Sequence, residues 1–75
     1  MKLYVLIHSA SGQIQSSEAF KNQQDAIEKL KDEYEGYLLE GDYVASDELF
    51  DTHAKVEYID GTYDRLDIVE VNVEI

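Results

Sequence analysis

Apolar residues along this chain follow two periods. Between Asn22 and Glu40, positions Ala26, Ile27, Leu30, Tyr34, Tyr37 and Leu38 recur at spacings of three and four. At 3.6 residues per turn this spacing gathers them into one stripe, which predicts an amphipathic helix. Asn22 can cap its start through a side-chain oxygen, and Asp25 sits where a first-turn carboxylate favours the helix dipole. Gly36 and Gly41 are the two candidate stops.

Elsewhere the period is two. Lys2 to Ser9 is rich in β-branched and aromatic residues and apolar on both faces in its middle, as an inner strand would be. Ala10 to Gln13 supplies turn residues, and Ile14 to Phe20 follows as a more polar strand suited to a sheet edge. His53 to Ile59 alternates, with Ala54, Val56 and Tyr58 on one side and Lys55 and Glu57 on the other. Asp60-Gly61 then marks a second hairpin. In the last stretch Val69, Val71, Val73 and Ile75 share one phase while Leu66 and Ile68 share the other, so burial of both sets predicts a β-bulge near Ile68. This strand fits either an inner place beside Leu3 to Ile7 or an exposed edge. The connection from Gly41 to Thr52 reads as a short helical turn begun at Ser46, tucking Leu49 and Phe50 under the domain, or as a short strand at Tyr43-Val44.

The expectation is an α+β fold: a small single domain over residues 1–75, with a mainly antiparallel sheet of about four strands (β-β-α-β-β) and one long helix packed on one face. The sequence has no repeat, no proline and no low-complexity segment.

Composition changes this picture in one respect, charge. Seventeen acidic residues against six basic ones give a formal net charge of −11, which opposes compaction and disfavours direct contact with nucleic-acid phosphates or anionic lipid. The 44% hydrophobic content still allows a core. The absence of Cys excludes disulfides, thiolate metal sites and cysteine nucleophiles. With no membrane-length apolar run and no signal core after Met1, a cytoplasmic location is the expectation.

Between Lys31 and Lys55 there is no Lys or Arg, yet Asp32, Glu33, Glu35, Glu40, Asp42, Asp47, Glu48 and Asp51 lie there, interleaved with Tyr34, Tyr37 and Tyr43. Within the helix, Glu28 and Asp32 are like charges four residues apart, an arrangement that lowers helix stability. One reading is a solvated surface that aids solubility. The other is a face for a basic protein partner, with carboxylates that pair with Arg and steer encounter while tyrosines anchor. The partner-binding candidates are therefore Glu28, Asp32, Glu33, Tyr34, Glu35, Tyr37, Asp42, Tyr43, Asp47, Glu48 and Asp51. A sharper form is nucleic-acid mimicry, in which Glu70 and Glu74 join Glu28, Asp32 and Glu35 in imitating a phosphate row and blocking a nuclease or another nucleic-acid-binding protein. In composition the chain resembles small acidic Cys-free inhibitors carried by phages and mobile elements, of anti-CRISPR or anti-restriction type, a likeness of charge and size with no motif behind it.

The remaining candidates carry less. His8 and His53 would hold a metal with Asp51, or move a proton, only if their strand ends met. Asp60 to Asp64 has spaced carboxylates but lacks the other ligands of a calcium loop. The serines lack a nucleophile context. The sequence reading is thus a non-enzymatic acidic interaction or inhibitor protein with no catalytic residue, cofactor or metal, a monomer or weak homodimer. The alternative is a small structural or assembly module that self-associates or docks through a sheet edge.

Overall fold

A computed structural model describes residues 1–74. Five strands and one α-helix follow in the order β1 (Lys2–Ala10), β2 (Gln13–Phe20), α1 (Gln23–Leu38), β3 (Val44–Leu49), β4 (His53–Tyr58) and β5 (Tyr63–Asn72), with a single 3-10 turn at Gly41–Tyr43 before β3. All four strand pairings are antiparallel and the sheet order is β2-β1-β5-β4-β3. The chain makes a hairpin, crosses the sheet face as α1 from one edge to the other, and returns as a three-strand meander that closes against β1. The fold is therefore α+β, with one strand more than the roughly four expected.

That extra strand is β3. Of the two readings of this segment, the short helical turn from Ser46 does not form, and a strand begins at Val44, longer than the one expected at Tyr43-Val44. The segment instead pairs with β4 along Ser46↔Glu57, Asp47↔Val56 and Glu48↔Lys55. Its sequence, VASDEL, has neither strong strand propensity nor much burial, so the partner strand dictates its conformation. Leu49 and Phe50, expected beneath the domain, are exposed at 40% and 53%.

β5 takes the inner place beside β1, with Leu3↔Val71, Val5↔Val69 and Leu6↔Ile68 opposite one another. Its register runs unbroken from Asp64 to Asn72, so the bulge expected near Ile68 is absent. No bulge is required because the two apolar phases lie on opposite faces: Leu66 and Ile68 join the core, while Val69 and Val71 point away. Register shifts occur instead where the edge strands pair, between His8 and Ser9 on β1 opposite β2, and between Val44 and Ser46 on β3. Such shifts twist an edge and weaken it as a template for further pairing. Ile75, placed by alternation with Val69, lies outside the described residues.

The helix forms as its period predicts. Asn22 caps it, its side-chain oxygen accepting from the Gln24 N–H at 2.8 Å. It runs through Gly36 and ends at Leu38, between the two expected stops. Ala26, Leu30 and Tyr34 are buried; Ile27, Tyr37 and Leu38 flank them half-buried. Beneath lie Leu6, Ala54, Val56, Tyr58 and Leu66, which complete the core. The β1–β2 turn places Ser11 and Gly12 at φ 49° and 88°, the two positive values that a tight hairpin matching the strand twist requires.

Candidate functional site

The outer side of α1 carries a row of exposed carboxylates. With the stripe from Ala26 through Leu30 to Tyr34 turned inward, residues 100° apart in sequence order put Asp25, Glu28, Asp32 and Glu35 on the opposite side. All four are exposed. Neighbours three or four apart on such a ridge stand about 5–6 Å from one another. Among the described residues the ion pairs are Lys2–Glu70 at 2.9 Å and Arg65–Asp67 at 2.9 Å, with His8 hydrogen-bonded to Asp64 at 2.7 Å; no carboxylate of α1 is ion-paired, although Lys29 and Lys31 lie in the same helix. Glu35 lies in the last turn, where no basic residue offsets the negative helix end.

The other candidates go to different surfaces. Glu33 is half-buried beside the stripe and faces β1 and β2. Asp47 lies on the helix side of β3 and accepts from the Tyr34 hydroxyl. The next residue, Glu48, points to the far side of the sheet opposite Lys55. Asp42 belongs to the 3-10 turn and Asp51 to the β3–β4 turn, both exposed. The fold thus brings Glu28, Asp32 and Glu35 together and separates the remaining acids. Glu70, expected in the same phosphate-like row, sits on β5 and is compensated by Lys2.

The three tyrosines differ as well. Tyr34 is 8% exposed; its bond to Asp47, with burial added, pushes its phenol up to about 12. Tyr37 stacks on His8 with centroids 5.3 Å apart, and burial followed by the Glu33 and Asp64 carboxylates raises it to about 12. Tyr43 is more open: it stacks on Tyr58 and donates to Asp60, which raises its phenol above the ordinary value. Asp60 is lowered from the ordinary carboxylate value, first by the hydrogen bond from the Thr62 side chain and then by Tyr43. It also accepts from the Thr62 backbone at 2.9 Å, closing the turn around Gly61, so hairpin geometry accounts for these carboxylates.

One polar cluster was not anticipated from sequence. Asp64 accepts from Tyr58 at 2.6 Å and meets His8 Nε2 at 2.7 Å, both half under the helix. Burial, then Asp64, raises the Tyr58 phenol well above its ordinary value. His8 forms one wall of an open groove of about 320 Å³, shared with Leu6, Ser16, Ser17, Glu18 and Glu33. His53 is on the other face of the sheet, stacked on Phe50 at 4.5 Å. The two histidines therefore do not converge, and among the described residues no group of three or more His, Asp or Glu is arranged to hold a metal ion. No described helix is long and apolar enough to cross a membrane.

No protein-family model matches this chain, no curated protein matches it, and no solved structure matches it.

Proposed function

We propose that this chain is a non-enzymatic binding protein whose acidic helix ridge docks on a basic protein surface, competing there with nucleic acid. The observation that carries the reading is the ridge itself: Glu28, Asp32 and Glu35 lie exposed, within reach of one another, and none of them forms an ion pair with the flanking Lys29 or Lys31. The arrangement works against helix stability, through the like-charge spacing of Glu28 and Asp32 and through Glu35 at the negative helix end. A partner rich in Arg and Lys relieves both penalties on binding. Such a ridge steers encounter over about 10 Å at 0.1 M salt, and its carboxylates offer bidentate sites for guanidinium groups. Tyr43 and the fully projecting Leu39, 88% exposed just beyond the helix, supply apolar contact at its C-terminal end.

Asp32, Glu28 and Glu35 set the charge. Tyr34 and Tyr37 act by seating the helix on the sheet rather than by contacting a partner. The target class is a protein whose own ligand is a phosphate row, such as a nuclease or a nucleoid protein.

The test is capture from a bacterial lysate on the immobilised chain and on a variant carrying Glu28→Gln, Asp32→Asn and Glu35→Gln. A nucleic-acid-binding protein held by the original chain alone, and released by duplex DNA or by salt, supports the proposal. Equal recovery on both chains reduces the ridge to a solvated surface.

The assembly reading is favoured by a separate observation, the uncovered face of the sheet. Docking through a sheet edge has less in its favour, because β2 presents Gln13, Gln15, Ser16 and Glu18, and β3 presents Asp47 and Glu48.

A further inference from the structure

The helix covers one side of the sheet, and among the described residues nothing covers the other. On that side Leu3, Val5 and Ile7 of β1 lie opposite Val71, Val69 and Asp67 of β5, with Ala19 of β2 beside Val5. Val69 and Val71 remain 44% and 39% exposed although they belong to the central strand of the sheet. Phe50, stacked on His53, stands at the rim of this patch.

Charge on this face differs from that of the whole chain. The register places Glu48, Glu57 and Asp67 here with Lys55 and Arg65, three of the seventeen acids and two of the six bases. The face has a net charge of −1 and leaves fourteen acids and four bases, −10, to the rest of the molecule. Its charges are also engaged locally: Arg65 pairs with Asp67 at 2.9 Å, and the Lys55 ammonium sits 4.7 Å over the Tyr63 ring.

We infer that the uncovered sheet face is a homodimer interface, on which a second copy of this chain packs face to face. A foreign basic partner is drawn to the −10 remainder rather than to this nearly neutral surface. A second copy meets the requirement of a two-fold contact, which must be self-complementary: apolar residues face apolar residues, and a rim carrying both signs can pair with itself. The size fits. Five strands about 4.8 Å apart and about eight residues long span a flat projection of about 600 Å², and side chains standing above it enlarge the accessible area. That is close to the roughly 800 Å² per partner of a standard interface, whereas the apolar patch alone is too small. The two acidic helices would then point outward in opposite directions, leaving the proposed partner surface free on each.

The salt response separates this contact from the acidic ridge. Two chains of charge −11 repel, so screening strengthens the dimer, while it weakens capture of a basic partner. Sedimentation at low and high salt should show the 8.6 kDa chain associating to a dimer that tightens as salt rises. Val69→Lys, folded by circular dichroism, should weaken the dimer at least about tenfold, the equivalent of 1.4 kcal/mol. Asp32→Asn on the ridge should leave it intact. If Val69→Lys does not fold, methyl NMR of the original chain with a paramagnetic cosolvent decides: Leu3, Val69 and Val71 should gain protection with concentration while Leu39 stays exposed. A monomer at every concentration and salt, a dimer that persists in folded Val69→Lys, or protection at Leu39 instead of Val69 each overturns the inference.

Discussion

Replacing Glu35 by Lys should make the protein more stable and at the same time weaken the proposed capture of a basic partner. Glu35 is exposed in the last turn of α1, which has no basic residue. A charge near a helix end is worth about 0.3–1 kcal/mol at low salt, so reversing its sign swings the balance by about 0.6–2 kcal/mol. Two side-chain terms nearly cancel: Asp32, three residues before, changes from repelling to attracting, and Lys31, four before, does the opposite, each by about 0.2–0.5 kcal/mol. Lys and Glu have similar helix propensity, so no further cost arises there. The expected net gain is about 1 kcal/mol, which in a domain of this size raises Tm by about 4–8 °C. Thermal melts followed by far-ultraviolet circular dichroism measure it directly. The gain should shrink at high salt, where the helix-end charge is screened. Capture of a basic partner by Glu35→Lys should fall in parallel. An unchanged or lower Tm at low salt would mean that the Glu35 carboxylate is already satisfied, and the premise of an uncompensated ridge would be refuted. A higher Tm with capture intact would leave the electrostatics standing and remove Glu35 from the binding face.

Other expectations follow from burial and from the tyrosines. Leu30 is fully buried between α1 and the sheet, so Leu30→Ala should cost about 3–5 kcal/mol. A chain of this length has about 4–11 kcal/mol in total, so urea titration should show most of it lost; a cost under about 1 kcal/mol would contradict the helix docking. Leu39→Ala, at a position 88% exposed, should change stability by less than about 0.5 kcal/mol in the same assay. Beside the raised phenols of Tyr43 and Tyr58, those of Tyr34 and Tyr37 contribute to the response above neutral pH. Their folded values, about 12, exceed the ordinary value near 10, so the stability they contribute is complete below about pH 10 and is lost as pH climbs towards 12. Tyrosinate absorbance read beside circular dichroism tests this: Tyr34→Phe should remove one late-titrating group, and titration of all six tyrosines at the ordinary value would refute it.

Whatever depends on near neighbours could be read along the chain. The capped start of α1, its inward stripe and the two tight hairpin turns rest on contacts within a few residues, and they are legible at Asn22, at Leu30 and at Ser11-Gly12. Alternation likewise separated the phase of Leu66 from that of Val69. It could not say which phase a helix covers, because one sheet face and the other look alike from a single strand. Tertiary structure decided that Leu66 is core and Val69 open. Tertiary structure also made β3, whose six residues become a strand only by pairing with β4. The acids follow the same division. Their number and their crowding between Lys31 and Lys55 are facts of sequence, but Asp47 and Glu48, adjacent in the chain, part to opposite faces because strand side chains alternate. His8 meets Asp64 across 56 residues, a contact that no local pattern specifies, since pairing of the first and last strands creates it.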